Sequence, residues 1–203
     1  TGAAGVSSVE DQSLFDAAYD GRVNAIDERL AAGADVNQAR TTDGATALHI
    51  AAQNEHLPVV TKLIAAGADA NKALAATGET PLYLAAANGH HTVVTKLIAA
   101  GALVNKAETT IGGTPLTIAA QNGHLAVVTK LIAAGADVNQ ATTEDGCTPL
   151  YMAAQDGHLL VVTKLIAAGA LVDKATTSED ATPLSIAAQQ GHLPVVTKLI
   201  AAG

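Results

Sequence analysis

Seven histidines, one cysteine and a row of lysines are the side chains here that could bind a metal, attack a substrate or neutralise an anion. His56, His90, His124, His158 and His192 recur at a fixed interval of 34 residues, as do Lys62, Lys96, Lys130, Lys164 and Lys198. Zinc requires several ligand atoms within about 2.0–2.3 Å of one centre. Stacked helices lie about 8–10 Å apart, so a ladder with one histidine per unit cannot converge on an ion. His91 adds a single imidazole beside His90. Cys147 has no histidine at a spacing that would make it a nucleophile. No GxxxxGK[ST], GxSxG or HExxH string occurs, which leaves phosphate binding and hydrolysis without support. Neither catalytic residue, metal ligand nor cofactor is expected, and the lysine row reads as a solvated helix face.

The interval itself is the larger signal. The string VVTKLIAAGA starts at Val59, Val93, Val127 and Val161, and begins again at Val195. Thr-Pro-Leu keeps step at Thr80, Thr114, Thr148 and Thr182, with Thr46-Ala47-Leu48 as an imperfect copy. A fixed period between about 20 and 50 residues marks a repeat array. Within a unit the threonine can cap a first helix, with proline tolerated at its first position. Gly89, Gly123, Gly157 and Gly191 then stop that helix, where a left-handed residue is favoured. A second helix begins near residue 57. Val59, Val60, Leu63 and Ile64 give it one apolar face while Thr61 and Lys62 point away. Gly67 and its equivalents end it, and an aperiodic stretch rich in Asn, Asp, Gly and Thr follows as a projecting turn.

The expected organisation is a disordered or cloning-derived lead-in over 1–11, then one domain over 12–203. Its units run 12–45, 46–79, 80–113, 114–147, 148–181 and 182–203. The first unit is an N-terminal cap, because Asp16 and Arg29 replace apolar residues at a water-facing end. The last keeps the internal pattern and stops after its second helix, so Val195, Val196, Leu199 and Ile200 should leave apolar surface exposed. Weak end-to-end association of an otherwise monomeric protein is expected there.

Hydrophobic residues make up 49% of the chain and aromatics 2%, which suits close packing of small side chains. The net charge of −8 argues against a nucleic-acid partner, whose phosphates need a basic face. No run of 18 apolar residues and no signal-peptide pattern occurs, so no membrane role is expected. The single cysteine excludes an intrachain disulfide and is compatible with a soluble, cytoplasmic-type protein if it is natural.

Thr-Pro-Leu, Ala-Ala, Gly-His, Val-Val, Leu-Ile, Gly-Ala-Asp and Val-Asn, in that order, resemble the ankyrin repeat from Gln12 to Gly203. The resemblance implies an all-α solenoid of stacked helix-turn-helix units. Projecting turn or hairpin fingers would form a concave palm that binds protein without catalysis, and the recurring histidine would bond turn backbone. The period is one residue longer than usual, and the extra residue lies in the finger, so the tips should lack regular pairing. Ala47 replaces Pro, Glu55 replaces a helix-stopping Gly, and Asp180 replaces the finger Gly found at Gly44, Gly78, Gly112 and Gly146.

The units differ mainly along the fingers and at first-helix positions such as His49, Tyr83, Thr117 and Tyr151. Positions 49 and 53 share one helical face, which reads as free to vary while Leu48, Ala51 and Ala52 pack. These positions largely coincide with those randomised in engineered ankyrin-repeat binders, and an engineered or library-derived array is the leading expectation. Recent duplication in a natural array would give a similar pattern, and Glu55 and Asp173 suit that origin. The expected partner is a protein or peptide of basic character. Its candidate contacts are Arg40, Asp43, His49, Leu74, Glu79, Tyr83, Glu108, Ile111, Glu144, Asp145, Tyr151 and Asp156. Leu74, Tyr83, Ile111 and Tyr151 would be the apolar anchors and the carboxylates a steering rim. The alternative is a purely structural or consensus-type scaffold with no dedicated partner.

Overall fold

The computed structural model describes residues 13–203, so the expected lead-in over 1–11 lies outside the described residues. Among these, twelve α-helices and no strand occur. They pair as α1 (Leu14–Tyr19) with α2 (Val23–Ala31), α3 (Ala47–Gln53) with α4 (Leu57–Ala65), and α5 (Pro81–Ala87) with α6 (His91–Ala99). The series continues with α7 (Pro115–Gln121) and α8 (Leu125–Ala133), α9 (Pro149–Gln155) and α10 (Leu159–Ala167), and α11 (Pro183–Gln189) and α12 (Leu193–Ile200). Odd-numbered helices stack on odd and even on even, giving two helical layers with the core between them. No helix among the described residues is long and apolar enough to cross a membrane.

The local chemistry follows the sequence. The hydroxyls of Thr80, Thr114 and Thr148 accept from the backbone N–H of Tyr83, Thr117 and Tyr151 at 3.2, 3.2 and 3.1 Å. Each satisfies one donor that a helix start leaves orphaned. In the second helices Val59, Val60 and Leu63 are fully buried, as are their equivalents through Leu165. Thr61 and Lys62 are exposed, and Lys62 Nζ reaches Asp27 at 2.8 Å across to α2.

Two polar ladders tie each unit to the next. His56, His90, His124, His158 and His192 each direct Nε2 at a backbone carbonyl near the end of the preceding first helix, at 2.8–3.0 Å. These are carbonyls that a helix terminus would otherwise leave unpaired. Asn37, Asn71, Asn105 and Asn139 each accept from a backbone N–H in the following unit and donate to a glycine carbonyl there. The imidazoles are thus spaced along the stack, one per junction.

Glu55 is left-handed at φ 61°, as its place in a glycine stop demands. Its carboxylate meets His90 Nδ1 at 3.4 Å, a contact that sequence spacing does not reveal. At the last unit Val195 and Leu199 are buried, while Leu193 and Ile200 are 71% and 64% exposed.

Candidate interaction face

Each finger is a compact turn. The N–H of Arg40 donates to Ala45 O at 2.8 Å, and the same link joins Leu74 to Glu79, Glu108 to Gly113, Thr142 to Cys147 and Thr176 to Ala181 at 2.8–3.0 Å. Neighbouring fingers are bonded tip to tip: Thr109 N–H to Thr77 O, Thr143 N–H to Ile111 O, and Thr177 N–H to Asp145 O, each 2.8 Å. The approach is so close that a Cβ added at Gly112 would stand 2.6 Å from Thr143 Oγ1. Gly112 is needed for that contact as well as for its φ of 77°. Asp180 adopts φ 53° at the same place in the last finger, where no further finger among the described residues bears on it. The tips therefore stack through single backbone bonds without regular strand pairing, as the extra residue suggested.

In three of the fingers the opening side chain closes the turn from within. Glu108, 5% exposed, accepts from the N–H groups of Thr110, Ile111 and Gly113 at 2.6, 2.9 and 2.8 Å and from the Thr110 hydroxyl. Burial works to raise its pKa, but these hydrogen bonds win and hold it below the usual carboxylate value. Thr142 and Thr176 do the same work with hydroxyls, accepting from Cys147 N–H at 2.9 Å and Ala181 N–H at 3.1 Å. Arg40 pairs with Asp43, which also accepts from Ala45 N–H at 3.0 Å. Those bonds, the Arg40 one first, lower the Asp43 pKa. Glu79 is half-buried and accepts from the Thr77 hydroxyl at 2.8 Å, and Leu74 is half-buried.

The first-helix rings lie beneath the fingers, contrary to the sequence expectation that they face away from the core. His49, Tyr83 and Tyr151 are 1%, 8% and 7% exposed. A Cβ on Gly113 would come within 3.7 Å of the Tyr83 hydroxyl. The finger following each helix pair folds back over the ring, a long-range contact that helical periodicity cannot register. Burial, then the charges of Glu108 and Glu79, push the Tyr83 phenol up to about 12. Burial leads again for Tyr151, helped by Cys147, Glu179 and Asp145. Cys147 is buried, and burial pushes its thiol up, the opposite of an activated nucleophile.

Of the expected contacts, Arg40, Ile111, Glu144, Asp145 and Asp156 are exposed. Glu179 and Asp180 are exposed beside them, although they stood outside the expected set. Sequence comparison missed the finger-to-finger bonds at Thr109, Thr143 and Thr177, which are made by backbone N–H groups and leave no mark in residue type. It also missed an apolar groove of 280 Å³ at the turn side of the fourth and fifth units. Leu125, Leu159, Leu160 and Val161 line it, and Leu160 is 67% exposed.

Carboxylates thus divide along the finger row. Asp43, Glu79 and Glu108 are engaged by their own fingers. Glu144, Asp145, Glu179 and Asp180 form no ion pair among the described residues and project from two adjoining fingers. The family model for ankyrin repeats, a model of three copies, matches residues 14–108, 57–142 and 116–203. No match is found among curated proteins. Helix pairs, stacked fingers and these overlapping matches agree: the chain belongs to the ankyrin-repeat family, whose members are generally non-enzymatic protein–protein interaction modules.

Proposed function

We propose that this chain is a protein-binding scaffold whose contact surface is the exposed finger row with the adjoining first-helix ends. The observation that carries this is the tip-to-tip bonding of fingers through Thr109, Thr143 and Thr177. It holds variable, exposed side chains in fixed register, so little ordering entropy remains to be lost on binding. Ile111, 36% exposed at a tip, is the apolar contact available there. Glu144, Asp145, Glu179 and Asp180 form a field of one sign at the fourth and fifth fingers, which suits a basic protein or peptide surface. Arg40, Asp43 and Asp156 extend the surface at its edges. His49, Tyr83, Tyr151 and Glu108 support it from beneath.

The test is capture from a protein mixture by the wild-type chain and by a variant with Glu144→Lys, Asp145→Lys and Glu179→Lys. Basic proteins retained by the wild type and lost from the variant, with unchanged unfolding, support the proposal. Identical captured sets, or none from either, favour a scaffold without a partner on this face.

A further inference from the structure

His49 differs from every other residue at its place in the repeat. Tyr83, Thr117, Tyr151 and Ser185 stand there in the later units, and of these side chains only the histidine has an ordinary pKa between about 5 and 7. It is 1% exposed. The backbone N–H of Thr46 donates to its Nδ1 at 3.1 Å, and the Thr46 hydroxyl lies 2.8 Å from the same atom. An N–H donor at Nδ1 requires the neutral ring with its proton on Nε2. Nε2 is buried without a hydrogen-bond partner in this structure, and the backbones of Glu79 and Lys72 only partly favour the charged ring. Protonation would set two donors against each other at Nδ1 and bury a charge.

The groups facing His49 are few. Asp43 of the preceding finger and Asp69 of the following one exert an opposing, stabilising pull on the charged form. Lys72 and Glu79 also belong to the following finger, where Glu79 is engaged by Thr77. Burial outweighs these pulls and lowers the imidazole pKa from 6.5 to about 4. A depressed histidine pKa means that the opened state takes up the proton first. Stability is therefore unaffected above pH 6.5 and lost progressively as pH falls from 6.5 toward 4.

We propose that His49 makes the finger over residues 68–79 an acid-released element: protonation of the buried ring opens this finger while the later fingers, seated on Tyr83, Thr117 and Tyr151, stay closed. Opening breaks the Leu74–Glu79 closure and the bond from Thr109 N–H to Thr77 O. The first link of the finger row is thereby lost.

Amide hydrogen exchange on the full chain at pH 7.5 and pH 5, corrected for intrinsic rates, tests this. The opening constant at Leu74 and Gly78 should rise roughly thirty-fold at pH 5, while amides of the finger over 136–147 change far less. His49→Tyr installs the side chain that units three and five already hold, and His49→Thr that of unit four. Either should abolish the selective acid response without altering exchange at pH 7.5 in the later fingers. An acid response of equal size in all fingers, its persistence in both variants, or a His49 imidazole NMR titration centred near 6.5 would overturn the proposal.

Discussion

Tyr151 and the pair Glu144–Asp145 occupy neighbouring stretches that both vary from unit to unit, yet they meet opposite environments. The ring is 7% exposed beneath the fifth finger, while both carboxylates stand in water at the tip of the fourth. Variation on a repeated frame thus has two meanings. At a tip it changes what the surface offers. Under a finger it changes how firmly that finger is seated. The same division separates Glu108, consumed by three backbone N–H groups, from Glu179, which is exposed.

The largest effect should come from emptying the seat. Tyr83→Ala and Tyr151→Ala should each destabilise the array by about 3 kcal/mol, the usual scale for removing a buried aromatic ring. Urea unfolding measures this. A cost below about 1 kcal/mol, the range of a surface substitution, would erase the distinction between seat and tip. Next in size, Glu108→Ala leaves several finger donors unpaired and should cost about 1–3 kcal/mol. Glu108→Thr should recover much of that, because Thr142 and Thr176 already close their fingers with a hydroxyl. Since the Glu108 pKa is held low, its contribution is complete above the ordinary carboxylate value of 4.5 and is lost as pH falls through its depressed folded value. The acid limb of stability should accordingly be steeper in the wild type than in Glu108→Thr.

A smaller effect tests the helix stop. Glu55→Gly relieves a left-handed glutamate at the cost of the contact between its exposed carboxylate and the half-buried His90, which is worth no more than about 1 kcal/mol. It should stabilise the chain by about 0.5–1 kcal/mol in thermal or urea unfolding. A loss of stability would mean that the His90 contact outweighs the backbone strain. Smallest of all, Glu144→Lys with Asp145→Lys should shift stability by no more than about 0.5 kcal/mol, as for other exposed sites.

The frame was legible because its signals are local. Thr-Pro starts, glycine stops and the Val59–Val60–Leu63 face each act within a turn or two, and Glu55 could be placed in the left-handed region from its neighbours alone. The site was legible only in part. Ile111, Glu144 and Asp145 stand exposed as expected. The helical face shared by positions 49 and 53 suggested exposure for His49, Tyr83 and Tyr151 too. Position 53 is indeed exposed in the second unit, but the His49 ring four residues earlier is buried against the finger that holds Asp69, Lys72 and Glu79, further along the chain. The closure of a finger by Glu108 depends likewise on how the turn curls, and no spacing rule encodes it.

The distinction between seat and tip is tested most directly within one unit-to-unit junction, by comparing Tyr151→Ala with Glu144→Lys plus Asp145→Lys in paired urea unfolding and protein capture. The tip variant should keep the wild-type unfolding midpoint and lose basic captured proteins, while the Tyr151 variant unfolds at distinctly lower urea. A Tyr151 variant as stable as wild type that alone loses its captured proteins, or a tip variant that alone unfolds early, would contradict the account.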